Sequence, residues 1–246
     1  MGRPAAVTFD FWNTLIREDR GARDRRIEAW QGLLEGEGVA LERERLHAAF
    51  ESTWSTFDRH WRDNRARFGA AEAVEHVLAE LGQEPPPDVR RALVEVITDP
   101  LPAHDPAPTD HVEDTLRALK AAGVRIGIVC DVGLSPSRTL RRYLDGHGLL
   151  GLFDHWSFSD EVGVFKPDPR IFHHALAGLG VDDPGAAAHV GDLRRTDVAG
   201  SKAMGMTSVR YTGVFDDPGD DDATVAVEAD HVVADHADLP AALGLT

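Results

Sequence analysis

The 246-residue chain has a single cysteine, Cys130, so no disulfide can form within it. That scarcity fits a reducing compartment. Positive charge is also short: 26 Lys and Arg stand against 42 Asp and Glu, a net charge of −16. This balance argues against nucleic acid or an anionic membrane as the main partner. An anionic substrate would need a local positive site set into an acidic surface. No apolar run reaches the length of a membrane span. The start, Met-Gly-Arg-Pro-Ala-Ala, has no long apolar stretch behind it, so no secretory signal is expected. Ala6 breaks the Ser/Thr position of a myristoylation signal. There is no internal repeat and no low-complexity tract. The expectation is a cytoplasmic protein. Apolar residues make up 42% of the chain, enough at this length for a sizeable core.

What the sequence does contain begins with Ala5-Ala6-Val7-Thr8-Phe9-Asp10-Phe11-Trp12-Asn13-Thr14-Leu15. A short apolar run rich in strand formers stops at Asp10, and turn-compatible residues follow. Asn13 suits the turn because Asn tolerates positive φ. A strand ending this way puts a carboxylate where open α/β sheets bind ligands. Alone, the stretch also reads as a strand closed by an Asx turn.

From about Arg17 to Arg67 the spacing predicts helices. Ile27, Trp30, Leu33 and Leu34 recur at helical intervals, and Gly36 and Gly38 end that element. Leu46, Phe50, Trp54, Phe57 and Trp61 make one aromatic stripe, read as the core of a helical hairpin, with a dimer surface as the sharper alternative. Two more helices are predicted near Ala70–Leu81 and Asp88–Ile97, separated by Pro85-Pro86-Pro87. The proline-rich residues 99–109 read as a stiff connector.

Beyond the connector the rhythm alternates. Helices are predicted over Val112–Ala122, from Ser135-Pro136, from Asp168-Pro169 to about Leu179, and over Thr196–Met204. Strands are predicted at Arg125–Cys130, His155–Phe158, Ala187–Gly191, Thr207–Tyr211 and His231–Val233, with a short helix last. Residues 216–222 form an acidic, solvated loop. Alternation of this kind implies parallel βαβ units in one doubly wound sheet. The expected fold is therefore α/β, with an all-helical section inserted after the first strand. That divides the chain into a core, residues 1–16 and 99–246, and a helical insert, residues 17–98.

The strand ends carry polar groups: Asp10 and Thr14, then Cys130 and Asp131, then Asp192 with Asp197 behind it. Lys166 lies in the loop Gly163-Val164-Phe165-Lys166-Pro167-Asp168. Two carboxylates facing each other repel unless a cation sits between them. Oxygen donors from Asp10 and Asp192 suit Mg²⁺ together with a substrate phosphate. Lys166 supplies a point charge for a phosphate oxygen or for the nucleophile. His173 and His174 are adjacent on a helix and read as surface or packing residues. Arg20, Arg23, Arg25 and Arg26 read as a solvated helix face, with a substrate contact as the sharper alternative.

Four stretches in this order resemble the motifs of the haloacid dehalogenase (HAD) superfamily, in the branch whose helical cap lies between the first two motifs. They are Phe9-Asp10-Phe11-Trp12-Asn13-Thr14, Val129-Cys130-Asp131, Lys166-Pro167-Asp168 and Gly191-Asp192-Leu193-Arg194-Arg195-Thr196-Asp197. The resemblance implies a hydrolase with roles residue by residue. Asp10 would be the nucleophile, forming an aspartyl-phosphate. Lys166 would hold it and the phosphoryl charge. Thr14, Cys130 and Asp131 would contact the substrate. Asp10, the Trp12 backbone carbonyl and Asp192 would bind Mg²⁺, with Asp197 binding or orienting it from behind. The partner implied is a small phosphorylated metabolite, and the assembly a monomer or homodimer.

The sequence departs from that pattern at two motifs. Trp12 stands where the phosphatases carry the general acid and base, and indole cannot transfer a proton. Losing leaving-group protonation costs about 10²–10⁴ in rate. The loss matters for an alkoxide leaving group and little for an acyl phosphate, anhydride or halide. Cys130 replaces a usual hydroxyl with a weak thiol donor, and also reads as a small buried hydrophobe. The charge of Asp131 would oppose a bound anion. Three readings follow: a Mg²⁺-dependent phosphatase or phosphotransferase, favoured by Asp192; a HAD-fold binding or regulatory protein with little turnover; and a metal-free 2-haloacid dehalogenase.

Overall fold

The computed structural model describes residues 3–17, 21–39, 41–62, 68–98, 106–219 and 227–245. In chain order the elements are β1 (Ala6–Phe9), α1 (Ala22–Gly36), α2 (Arg43–Arg62), α3 (Ala70–Leu81), α4 (Pro87–Thr98), α5 (Val112–Ala121), β2 (Arg125–Cys130), α6 (Ser137–Gly146), β3 (His155–Phe158), α7 (Ser159–Val162), α8 (Pro169–Gly178), β4 (Ala187–Gly191), α9 (Ala199–Ala203), β5 (Thr207–Tyr211), β6 (His231–Val233) and α10 (Leu239–Ala242). They fall into two compact units. One lies within residues 1–18, 106–131 and 141–246, the other within 19–105 and 132–140. No helix among the described residues is long and apolar enough to cross a membrane.

The first unit holds a six-stranded sheet in the order β3-β2-β1-β4-β5-β6, every pair parallel. The chain builds outward from β1 through β2 to β3, then crosses back to place β4, β5 and β6 on the other side. This is a doubly wound α/β sheet whose order reverses between β1 and β4, and a crevice opens at the carboxyl ends of strands at such a reversal. β1 and β4 are buried along their whole length, as central parallel strands with both faces covered require. Helix α8 shows how the sequence sets an element. The Asp168 carboxylate accepts from the Arg170 amide, Pro169 takes the first helical position, and Ile171, Phe172, Ala175 and Leu176 face inward.

The second unit contains α1 to α4. Ile27, Trp30 and Leu34 form the buried stripe of α1. Trp30 meets Phe50 edge-on, with centroids 4.8 Å apart, and donates its indole N–H to the Leu93 carbonyl at 3.1 Å. The stripe of α2 contributes Leu46 and Phe50 to this cluster fully, and Trp54 and Phe57 in part. Trp61 is partly buried.

The strands fall where alternation predicts them. Helix α6 starts at Ser137, with the Pro136 carbonyl accepting from the Thr139 and Leu140 amides, so Pro136 caps the helix rather than beginning it. The segment predicted as one helix over Thr196–Met204 is instead a wide π-type turn, Arg194–Val198, running into α9. Arg20, residues 18–19 and 63–67 of the predicted helical stretch, residues 99–105 of the connector and residues 220–222 of the acidic loop lie outside the described residues.

Candidate active site

Asp10 extends β1 by one residue, and its amide donates to the Val190 carbonyl on β4 at 2.8 Å. The chain then closes a tight loop. The Leu15 and Ile16 amides both donate to the Phe11 carbonyl, and the Asn13 amide to the Ile16 carbonyl. Asn13 adopts a left-handed conformation, φ 56°, which Asn tolerates better than bulkier residues. Trp12 on this loop stands edge-on to Phe11 and Tyr143, at 5.0 and 6.1 Å. Thr14 is fully buried, and its hydroxyl has no hydrogen-bond partner.

Lys166 joins three of the candidate residues. Its Nζ lies 2.5 Å from Asp10 Oδ1 and 2.6 Å from Asp197 Oδ1, and all three side chains are buried. Its backbone amide donates to Asp131 Oδ1 at 2.9 Å. The carboxylate of Asp131 therefore holds the lysine loop. Cys130, at the tip of β2, is fully buried, and burial pushes its thiol well above the usual range, with Asp10 adding to the effect. Buried and protonated, it sits as a small hydrophobe does.

Asp192 follows β4 directly. One carboxylate oxygen each from Asp10, Asp192 and Asp197 lie within 4.8 Å of one another. Burial, then repulsion from Asp10 and Asp197, raises Asp192 well above the ordinary carboxylate range. Burial likewise pushes Asp10 up to about 7, with Lys166 opposing and Asp197 reinforcing the shift. For Lys166, burial works against the charge, but Asp10, Asp197 and Asp131 overcome it and hold the lysine well above its usual value. Asp197 is the opposite case to Asp10: burial would raise it, yet Lys166 and His189 hold it well below the usual range.

The anchoring of Asp197 was not anticipated from the sequence. Its Oδ1 receives Lys166 Nζ and His189 Nε2, the latter at 3.0 Å, and its Oδ2 accepts from the Leu193 amide at 3.0 Å. His189 is fully buried, and burial lowers its basicity, so it is neutral. Donation from Nε2 to the carboxylate leaves Nδ1 as acceptor for the Thr8 hydroxyl at 2.9 Å. Thr8 and His189 are register partners on β1 and β4. Gly191 is needed here, because a Cβ would stand 2.2 Å from Asp197 Cγ. The detectable signal was a histidine inside the otherwise apolar run Ala187-Ala188-His189-Val190-Gly191. His173 and His174 are both exposed, and His174 Nδ1 lies within hydrogen-bond distance of Ser157 Oγ at 2.8 Å and His155 Nε2 at 3.3 Å.

The strand ends thus bring Asp10, Lys166, Asp192 and Asp197 together, with Asp131 one bond away. A family model of haloacid dehalogenase-like hydrolases matches residues 4–205. The chain belongs to that family. This HAD-like hydrolase is 30% identical over 229 residues to a glyceraldehyde 3-phosphate phosphatase of Methanopyrus kandleri, covering 92% of each chain. It is 37% identical over 133 residues to the haloacid dehalogenase-like hydrolase domain-containing protein 3 of Mus musculus, a match over 54% of this chain and 50% of that one, so the match spans half the relative's length. Among solved structures it resembles the HAD phosphatase from Thermococcus onnurineus, with TM-score 0.64, 24% identity and 97% of both chains covered. It also resembles the putative HAD-hydrolase YfnB from Bacillus subtilis bound to magnesium, with TM-score 0.69 and 16% identity, covering 99% of this chain and 100% of that one. At these identities the two structures speak for the fold.

Proposed function

We propose that this HAD-like hydrolase is a Mg²⁺-dependent phosphatase or phosphotransferase of a small phosphorylated metabolite, working through an aspartyl-phosphate on Asp10. The observation that carries the reading is the meeting of Asp10, Asp192 and Asp197 oxygens within 4.8 Å beside one buried lysine. The donor set fits a hard divalent ion: it is all oxygen, and two of its carboxyls are raised first by burial and then by neighbouring carboxylates, a combination that a bound cation would offset. Asp10, Asp192 and the Trp12 carbonyl would hold Mg²⁺. Asp197, whose two oxygens already receive Lys166, His189 and the Leu193 amide, would orient the site from behind. Bound there, the ion would supply charge neutralisation at the phosphoryl oxygens.

The protein groups divide the remaining work. The Asp10 carboxylate attacks phosphorus, the bond to the leaving oxygen breaks, and that oxygen takes the electron pair. Lys166 holds Asp10 in line and offsets charge on the phosphoryl group. The Thr14 hydroxyl, buried and unpartnered, donates to a phosphoryl oxygen. Water then attacks phosphorus, the bond from phosphorus to the Asp10 oxygen breaks, and inorganic phosphate leaves carrying the water's oxygen while the displaced proton passes to solvent, which restores the Asp10 carboxylate. Trp12 lies among aromatic rings and offers no proton. Substrates whose leaving group departs as a stable anion are therefore favoured. The Methanopyrus relative is named for an alkyl phosphate, glyceraldehyde 3-phosphate. For this chain such a substrate would need a proton donor other than residue 12. Opposite the phosphatase stands a HAD-fold binding or regulatory protein with little turnover, for which Trp12 and Cys130 together are the motive.

A leaving-group series tests the proposal. With Mg²⁺, acetyl phosphate and p-nitrophenyl phosphate are hydrolysed, and glycerol phosphate about 10²–10⁴-fold more slowly. Chelation by EDTA stops the reaction. Equal rates with and without EDTA would overturn the metal dependence. Equal rates across the series would overturn the role given to Trp12, and no turnover at all would favour the binding protein.

A further inference from the structure

His236 lies outside the residues 4–205 matched by the family model, yet it reaches the loop that follows Asp10. It sits in a 3-10 turn, His236–Asp238, after β6. Its Nε2 donates to the Thr14 carbonyl at 2.8 Å, across 222 residues of sequence. The Thr109 hydroxyl donates to the same carbonyl at 2.8 Å. The imidazole packs among rings: it stacks on Tyr211, with centroids 4.3 Å apart and planes 17° from parallel, and Phe9 lies tilted to it at 6.2 Å. The Thr115 hydroxyl ties down the His236 backbone carbonyl at 2.8 Å.

The carbonyl of Thr14 is thus doubly satisfied while its own hydroxyl is buried with no partner. Leaving a buried hydroxyl unpaired costs about 1–3 kcal/mol. A buried group left unpaired calls for an explanation, and a bound ligand that supplies the missing bond is one. We propose that His236 and Thr109 clamp the Thr14 backbone, and that His236 is a positioning residue that keeps the Thr14 hydroxyl presented for a phosphoryl oxygen. The inference rests on the phosphatase reading above and extends it to the C-terminal segment, which the shared family region does not include.

Three variants separate a clamp from a merely structural histidine. His236→Phe keeps the ring stacking and removes the donor. His236→Gln keeps an N–H donor. Thr14→Ala removes the presented hydroxyl. With acetyl phosphate and Mg²⁺, His236→Phe lowers kcat/KM about tenfold in the wild-type background but about twofold or less in the Thr14→Ala background, because the two changes remove one interaction. His236→Gln recovers most of the loss. Hydrogen exchange at the Leu15 and Ile16 amides, which close the loop on Phe11, is faster in His236→Phe and near wild type in His236→Gln. The same fold-loss in both backgrounds, or unchanged exchange at those two amides, overturns the clamp. Should the wild type hydrolyse no phosphate compound, the phosphatase reading falls, and the exchange measurement decides the clamp alone.

Discussion

In the helical unit, the buried polar side chains among the described residues are hydroxyls: Thr53, Thr98, Ser135, Ser137 and Thr139. The sheet unit buries Asp10, Lys166, His189, Asp192, Asp197, Arg210 and His236. Both units have ample apolar cores, so the difference is not one of size. A buried charge destabilises unless it is paired and hydrogen-bonded. The helical unit avoids that cost, and rings such as Trp30 and Phe50 fill its interior. The sheet unit accepts it at one place, the reversal between β1 and β4. There the lysine, three aspartates and a neutral histidine offset one another incompletely, as the raised Asp10 and Asp192 carboxyls testify. Clustered groups with pKa values pushed apart mark functional sites more often than structural ones.

The contrast can be broken most severely at Lys166. Lys166→Met leaves Asp10 and Asp197 buried without their cation, and the protein loses about 3–5 kcal/mol in denaturant unfolding. A loss under about 1 kcal/mol would mean the carboxylates do not depend on the lysine. In the helical unit, Leu34→Ala removes a fully buried side chain from an apolar cluster and costs about 2–5 kcal/mol. That loss should be the same at pH 5 and pH 8, because no buried titratable group is involved. A strongly pH-dependent loss would erase the distinction between the units.

The smallest effect is expected at His236. Burial lowers its basicity from the usual 6.5. The folded protein therefore binds fewer protons at this site than the unfolded chain does below that pH. The stability contributed by a neutral His236 is complete above about 6.5 and declines as pH falls through the lower folded value. Unfolding of the wild type and of His236→Phe, compared from pH 8 to pH 5, should move in favour of the variant below pH 6.5. Parallel curves would contradict this.

Much of this was legible because it is local. β1 reads as a strand ending in a carboxylate, and the alternation from Val112 onward gives the parallel sheet. The order of Asp10, Lys166 and Asp192 along the chain then suffices to bring them to one crevice, since doubly wound sheets gather strand ends. What escaped depends on partners far apart in sequence. Asp131 reads as a charge facing substrate, but its oxygen is taken by the Lys166 amide, 35 residues on. His189 stands out as a histidine in an apolar run, and His236 does not stand out at all, but neither local sequence shows which partner the ring will bond. Their bonds to Asp197 and Thr14 exist only once β4 and the C-terminal turn are in place. The π-type turn at Arg194–Val198 was missed because the Asp197 carboxylate folds back onto the Leu193 amide, a geometry that helical periodicity does not encode.

The central claim is that the carboxylate at the tip of β1 becomes covalently phosphorylated. Mixing the protein with acetyl phosphate and Mg²⁺, quenching in acid within a turnover, and mapping peptides by mass tests it directly. The account predicts a phosphoryl group on the peptide carrying Asp10, absent in EDTA and absent in Asp10→Asn. Turnover without that adduct, or an adduct that persists in Asp10→Asn, would contradict it.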